Sequence, residues 1–262
     1  MNIPLYIVDA FTNKPFSGNP AAVCPLQKWL DDSLLQSIAA ENNLSETAFF
    51  IPKGDAYHLR WFTPAVEVPL CGHATLASAH VLFNHLGFIR EEIVFETMRG
   101  ELRIRRMDDL LLMNFPARIP QPVDTPEQLI KGLGLQPMEV CESEETFLAL
   151  FENENIIRAI KPDFPVLEEL HNPDIIITAQ GNSSDFVSRF FAPQVGVPED
   201  PVTGSAHCTL IPYWSQRLNK DSLRAQQVSE RGGELFCENL GERVQIGGNA
   251  VTYAVGEIKG LG

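Results

Sequence analysis

Glu46 lies between Ser45 and Thr47, directly before the apolar run Ala48-Phe49-Phe50-Ile51. A carboxylate at the mouth of an apolar strand is partly removed from water, which raises its pKa and lets it take and return a proton near neutral pH. The sequence therefore indicates Glu46 as a candidate acid/base, although an ordinary glutamate at a loop edge would show the same pattern.

A six-residue pattern of Pro, aliphatic, X, Gly, X and Ala occurs twice, at 69–74 and 201–206. Its two glycines, Gly72 and Gly204, are separated by about half of the 262-residue chain. Self-similarity at that spacing indicates a duplicated structure. We therefore predict two related halves, each presenting the glycine-opened N-terminus of a helix to a shared cleft.

His73 and Ser205 occupy the same position in the two copies, one residue after each glycine. The first N–H groups of a helix are unpaired, and the helix dipole there favours an anion. Two such ends could hold a carboxylate or stabilise an enolate. Alternatively, the glycines only permit tight turns between strand and helix.

Asp200 and Cys71 flank the two copies and could add further chemistry. Asp200 could bind a substrate amine or orient His73, although an acidic residue in a proline-bounded turn is often simply solvated. Cys71 could act as a thiolate base, because a helix N-terminus lowers the pKa of a thiol. The second copy has Thr203 at the matching place, so a symmetrical pair of cysteine bases is absent from the sequence.

Other common catalytic patterns are missing from the sequence. It contains no Gly-x-Ser-x-Gly, no His-Glu-x-x-His, no Gly-x-Gly-x-x-Gly and no phosphate-loop lysine. These absences argue against a serine hydrolase, a metal-dependent enzyme and a nucleotide-binding protein. We therefore expect neither a metal site nor a cofactor site of these kinds.

Composition narrows the class of protein further. A hydrophobic fraction of 44% in 262 residues supports one large or two medium domains with a substantial core. The net charge of −14 disfavours nucleic acid and anionic membranes as partners. The five cysteines are scattered along the sequence, which predicts reduced thiols. The sequence has no signal-peptide pattern and no apolar run of ~20 residues, so we expect a cytoplasmic protein.

The local patterns predict mainly antiparallel strands around one apolar helix in each half, which is an α+β arrangement. The two central helices are expected at 74–86 and 207–218. The proline-rich stretch 116–126 is the predicted linker, so the lobes are predicted as 1–118 and 119–249. Residues 156–160, which include two adjacent isoleucines, are predicted as a strand.

Six blocks of the sequence together resemble the phenazine-biosynthesis PhzF-like family, and the resemblance covers essentially the whole chain. The blocks are Asp9-Ala10-Phe11-Thr12, Phe16-Ser17-Gly18-Asn19-Pro20-Ala21-Ala22-Val23, Asn43-Leu44-Ser45-Glu46-Thr47-Ala48-Phe49, Arg60-Trp61-Phe62-Thr63-Pro64, Cys71-Gly72-His73-Ala74-Thr75-Leu76-Ala77 and Glu199-Asp200-Pro201-Val202-Thr203-Gly204-Ser205-Ala206-His207.

The resemblance implies a diaminopimelate-epimerase-like fold of two pseudo-symmetric lobes, with the last strand, 250–262, returning to the first lobe. It also implies a cofactor-independent homodimer acting on a small carboxylate. Glu46 would be the acid/base, supported by His73, Asp200 and Ser205. The implied substrate-binding residues are Gly72, Gly204, Ser45, Cys71 and Thr203.

The sequence departs from the related two-cysteine epimerases, because Cys71 matches one of their cysteines but Pro201 stands at the other place. The resemblance therefore favours an isomerase that moves a proton on a dihydro-hydroxyanthranilate-like substrate. Two alternatives remain open. One is an amino-acid racemase or epimerase with Glu46 and Cys71 as opposed bases, and the other is a non-catalytic protein that binds a small molecule in the same cleft.

Overall fold

A computed structural model describes residues 2–144 and 146–260 of the chain. The chain divides into two compact units, one of Met1–Asn114 with Gly247–Gly262 and the other of Phe115–Ile246. The lobe boundaries predicted from the sequence, after residues 118 and 249, stay predictions.

The described residues of the first unit form two helices and a larger number of strands. Its elements are β1 (Ile3–Ala10), β2 (Asn19–Pro25), α1 (Asp32–Asn42), β3 (Glu46–Lys53), β4 (Ala56–Phe62), β5 (Glu67–Val68), α2 (Gly72–Asn84), β6 (Glu92–Thr97), β7 (Gly100–Met107) and β8 (Leu110–Pro116), which ends just past the boundary.

The second unit begins within β8, at Phe115. Its elements are β9 (Gln121–Pro122), α3 (Glu127–Leu133), β10 (Glu139–Ser143), β11 (Thr146–Leu150), α4 (Glu154–Ala159), α5 (Phe164–Leu167), β12 (Asp174–Gln180), β13 (Phe186–Ala192), a 3₁₀ turn (Pro193–Val195), β14 (Val197–Asp200), α6 (Gly204–Leu218), β15 (Ser222–Gln227), β16 (Gly233–Asn239) and β17 (Arg243–Gly248). The final strand, β18 (Ala250–Ile258), belongs to the first unit and pairs antiparallel with β1.

The two units repeat one succession of strand pairings. In the first, β1–β2 is antiparallel, β2–β3 parallel, β3–β4 antiparallel, β4–β6 parallel and β6–β7 antiparallel. In the second, β10–β11, β11–β12, β12–β13, β13–β15 and β15–β16 follow in the same order of antiparallel and parallel. The central helices α2 and α6 fall at the same place in this order, which is the internal duplication that the repeated motif indicates.

Both central helices are buried on nearly every side. Ten of the thirteen residues of α2 and eleven of the fifteen residues of α6 are buried. A helix that is apolar all round must be enclosed by other structure, and α2 packs on β1, β2 and β3. The expected helices are thus present, but each begins earlier than predicted, at the motif glycine.

The predicted strand at 156–160 is wrong, because these residues belong mostly to α4. The Asn153 side chain accepts a hydrogen bond from the N–H of Ile156 at 3.2 Å and caps the helix. Arg158 also pairs with Glu154 one turn earlier, at 2.7 Å. The cap and the ion pair outweigh the strand preference of the two isoleucines.

Within residues 2–144 and 146–260, no helix is both long enough and apolar enough to cross a membrane.

The turn between β1 and β2 depends on Gly18. Its φ is +68°, and a Cβ there would lie 2.1 Å from the carbonyl oxygen of Ala10 and 2.7 Å from a methyl carbon of Thr12. The same loop is tied down where the N–H of Phe16 donates to Asp9 Oδ2 at 3.0 Å. Only glycine fits this backbone, and the turn sets where β2 begins.

We predict that Gly18→Ala lowers the free energy of unfolding by at least about 3 kcal/mol, because left-handed strain and a backbone clash add together. The matched control is Gly54→Ala, where φ is +61° but the described residues leave open space around the new Cβ. The control should lose only about 1 kcal/mol. Urea unfolding of both variants measures the difference, and equal losses would contradict the clash.

Candidate active site

Glu46 is the first residue of β3, and the parallel pairing with β2 sets it opposite Ala21. Its side chain is 17% exposed. The carboxylate thus stands where an apolar strand begins, as the sequence predicts, and it reaches the start of α2 in the same unit.

His73 is the second residue of α2 and is only 5% exposed. Its Nε2 lies 3.0 Å from Glu46 Oε2, within ion-pair distance. Burial opposes the charged form of His73, but the neighbouring Cys71 and Glu46 outweigh it, so the pKa of the imidazole lies well above its ordinary value. The charged form of the imidazole is therefore favoured beside Glu46 and Cys71.

Cys71 precedes α2, and its Sγ lies 3.5 Å from His73 Nδ1. The prediction that the helix N-terminus lowers the pKa of this thiol is wrong. Burial, reinforced by the charge of Glu46, raises the pKa of Cys71 to about 11. Loss of hydration outweighs the helix dipole, so the thiol stays protonated near neutral pH.

Glu46, Cys71 and His73 bring their ligand atoms within 4.8 Å of one another, close enough to consider a metal ion. The carboxylate, however, contacts Nε2 of the ring, whereas the thiol contacts Nδ1. A histidine binds an ion through one ring nitrogen, so one ion cannot take all three contacts as they stand. The arrangement is better described as a chain of polar contacts through the imidazole.

The start of α2 offers backbone donors beside these side chains. Gly72 opens the helix, and the first helical hydrogen bond runs from the N–H of Thr75 to the carbonyl of Cys71 at 3.2 Å. The N–H groups that precede it lie at the positive end of the helix dipole. This end of the helix can bind an anionic group.

The second unit places Asp200 at the end of β14, three residues before the cap of α6. The hydroxyl of Thr203, which is the N-cap residue, donates to Asp200 Oδ2. Gly204 is the first residue of the helix and is buried, whereas Ser205 is exposed in the first turn. The structure thus brings Asp200 and Thr203 into contact and leaves Ser205 open to solvent.

Gln227 holds this loop, and no sequence pattern predicts that role. It is 1% exposed at the end of β15. Its Oε1 accepts the N–H of Thr203 at 2.8 Å, and its Nε2 donates to the carbonyl of Asp200 at 2.7 Å and to Thr203 Oγ1 at 3.2 Å. A lone glutamine at a strand end carries no local signal, so only the folded structure reveals this role.

The structure joins the predicted residues in two groups, each within one unit. Glu46, Cys71, Gly72 and His73 form one group, with the half-buried Ser45 directly before β3. The second group comprises Asp200, Thr203, Gly204 and Ser205. A cleft shared by the two groups, and a common role for all these residues, stay predictions.

The fold is shared with solved structures of other proteins. A probable proline racemase from Agrobacterium radiobacter has the same fold, with a TM-score of 0.65 at 13% identity over 98% of this chain and 93% of its own. A PhzF-family protein from Enterococcus faecalis matches far more closely, with a TM-score of 0.97 at 45% identity over 99% and 100% of the two chains. The predicted fold class is confirmed.

The chain belongs to the phenazine biosynthesis-like (PhzC-PhzF) family, whose sequence model matches residues 8–256. A curated relative from Pseudomonas aeruginosa, named as an uncharacterized isomerase, is 54% identical over 259 residues, which is 99% of each chain. The family resemblance read from the six sequence blocks is confirmed.

His207, four residues after Thr203 in α6, is fully buried, and its Nδ1 donates to the carbonyl of Thr203 at 2.8 Å. Burial lowers the pKa of His207 to about 4, although the bond to Thr203 partly opposes this shift. Its ordinary pKa in an unfolded chain is about 6.5. Between these two values the unfolded chain binds more protons than the folded protein, so folding stability falls as the pH falls.

We predict that His207→Asn reduces this pH dependence, because the asparagine amide can replace the Nδ1–H donor without binding a proton. Between pH 7 and pH 5 the variant should lose about 2 kcal/mol less unfolding free energy than the wild type. Urea titrations at the two pH values measure the difference. Equal losses in the two proteins would show that His207 does not titrate in this way.

Proposed function

We propose that this protein is an isomerase of the PhzF-like type, which moves one proton on a small dihydro-hydroxyanthranilate-like carboxylate. Glu46 serves as the single acid/base, and the reaction uses no cofactor. Family membership and the relative named as an isomerase support the reaction class. The choice of substrate follows the family resemblance and is part of the proposal.

The observation that carries the proposal is the 3.0 Å contact between Glu46 Oε2 and His73 Nε2. One carboxylate oxygen meets the imidazole, which leaves Oε1 for the substrate. The side chain of Glu46 keeps 17% of its surface exposed, whereas that of His73 keeps 6%. Of the two, Glu46 is the group that a substrate can reach, and His73 supports it from the protein side.

The chemistry needs only one proton carrier. Ionised Glu46 removes a proton from a ring carbon of the substrate, and the electron pair of the broken C–H bond moves into the conjugated system. Protonated Glu46 then returns the proton to another carbon on the same face, and the carboxylate is restored. His73 Nε2 lies 3.0 Å from Glu46 Oε2, so the imidazole supports the carboxylate from the protein side during both transfers.

The start of α2 supplies a partner for the substrate carboxylate. Backbone N–H groups at Gly72 and the helix dipole attract an anion locally, against the net charge of −14 of the protein. We assign Ser45, Cys71, Thr203 and Gly204 to substrate binding, and Asp200 and Ser205 to support of the proton transfer. The homodimer and the cytoplasmic location stay predictions.

We predict that Glu46→Gln lowers turnover by roughly 10³-fold or more, because the amide keeps the shape of the side chain but cannot carry the proton. Proton NMR of dihydro-hydroxyanthranilate in D₂O follows isomerisation and deuterium uptake. Running the assay with and without EDTA tests whether an ion at Glu46, Cys71 and His73 contributes.

The matched control is Glu96→Gln, because Glu96 lies on β6 and pairs with Lys53 at the surface. This control should turn over substrate at the wild-type rate. Wild-type activity in Glu46→Gln would remove Glu46 from the mechanism.

If folded wild-type protein leaves this substrate unchanged, other small carboxylic acids are tested for deuterium exchange at carbon. If the wild type and Glu46→Gln bind such acids equally well and neither catalyses exchange, the protein is a binding protein.

We predict that Cys71→Ser loses at most a few-fold in turnover, because a thiol with a pKa of about 11 is a poor base near neutral pH and serine keeps a hydrogen-bonding group beside His73. The racemase alternative requires Cys71 as the second base and predicts a loss as large as that of Glu46→Gln. Assays on the isomerisation substrate and on amino acids in D₂O separate the two.

A further inference from the structure

A buried amide contacts the imidazole of His73 on the side away from Glu46. Asn19, the first residue of β2, has no exposed surface, and its Nδ2 lies 3.2 Å from His73 Nδ1. The Gly18 turn fixes where β2 begins, and β2 packs against α2. The two ring nitrogens therefore have different partners, an amide on Nδ1 and a carboxylate on Nε2.

These partners decide which nitrogen of the ring carries the proton. A neutral histidine has one N–H and one lone pair, and an amide N–H that donates to Nδ1 requires the lone pair there. The proton then sits on Nε2, 3.0 Å from Glu46 Oε2. When the ring is charged, a half-turn of the same amide presents its oxygen to Nδ1–H. An asparagine thus keeps a proton on Nε2 in both states.

A proton on Nε2 matters for the transfer itself. If Nε2 had a lone pair, the imidazole would accept the proton that Glu46 has just removed from the substrate. The proton would then not return to the substrate, and one from solvent would replace it. With Nε2 protonated, His73 has no lone pair on the side of Glu46, so the transferred proton stays on Glu46.

We propose that Asn19 is a positioning residue of the proton-transfer site, which orients the imidazole of His73 so that Nε2–H always faces Glu46. The proposal rests on the proposed role of Glu46. The Sγ of Cys71, 3.5 Å from the same Nδ1, is a weak hydrogen-bonding group and does not replace the amide.

The first test reads the ring directly and needs no substrate. Protein labelled with ¹⁵N-histidine is titrated by NMR, and the His73 signals among the six histidines are assigned from their loss in His73→Gln. In the wild type, Nε2 should be protonated at every pH at which the protein is folded. In Asn19→Asp, which only accepts, Nδ1 should keep its proton and Nε2 should become the nitrogen that titrates.

The second test reads catalysis in Asn19→Leu, which has a similar size but no polar atom. Turnover should fall about 10- to 100-fold with KM nearly unchanged, because Asn19 supports a reacting group and does not touch the substrate. Deuterium incorporated per turnover should rise in Asn19→Asp. The matched control is Ser78→Ala, which loses a buried hydrogen bond to Ala74 in α2 and should alter neither the His73 spectrum nor turnover.

Each outcome counts for or against the proposal. Any one of three results would overturn it. These are a wild-type Nε2 without its proton, the same titrating nitrogen in the wild type and in Asn19→Asp, or a wild-type kcat in Asn19→Leu. If Glu46→Gln is fully active while the spectra behave as expected, the proposed function fails and the orientation of His73 by Asn19 stands. If either variant unfolds, seen by circular dichroism, the other supplies the decisive measurement.

Discussion

The buried imidazole of His73 constrains the whole first unit, because each of its two nitrogens needs a suitable partner away from water. Glu46 supplies one partner and Asn19 the other, and they come from the first residues of two adjacent parallel strands. These contacts form only when three features are correctly placed: the register of the two strands, the left-handed turn at Gly18 and the start of α2 at the motif glycine. Displacement of any one of these elements would leave a buried polar group without its partner, which is costly.

The second unit meets a similar demand at the start of α6 with an amide, a hydroxyl and a carboxylate. The start of α6 is held by Gln227, whose amide bonds both the backbone and the hydroxyl of Thr203 as well as the carbonyl of Asp200. The charged side chain of Asp200 receives the Thr203 hydroxyl. A fully satisfied network of this kind fixes the loop before the helix more firmly than a solvated proline-bounded turn would be fixed. The same motif and the same order of strands therefore precede two chemically different helix N-termini. One is built on an imidazole and a carboxylate, and the other is built on an amide and a hydroxyl.

Sequence patterns reveal the parts of this architecture that are encoded locally. The repeated motif predicts two helices that open at glycine, and the apolar run after Glu46 predicts its strand. Asn19 and Gln227 carry no such signal, because their contacts join residues 54 and 24 positions apart through strand pairing and helix packing. The direction predicted for the pKa of Cys71 is wrong, since burial outweighs the helix dipole and its extent depends on the whole fold. The strand predicted in place of α4 is wrong because one capping asparagine overrides the preference of two isoleucines.

The raised pKa of the Cys71 thiol also bears on the choice between a racemase reaction and an isomerase reaction. Inversion at a carbon needs bases on two opposite faces, and a thiol with a pKa of about 11 is a poor second base near neutral pH. A shift of a proton along one face needs a single carrier that is stable in both protonation states. Glu46 meets that need on two conditions: the neighbouring group must not accept the proton from Glu46, and it must remain a polar partner for the carboxylate. An imidazole with a protonated Nε2 satisfies both conditions. In the proposed one-base reaction, the groups that set the proton on His73 therefore matter as much as the carboxylate that carries the transferred proton.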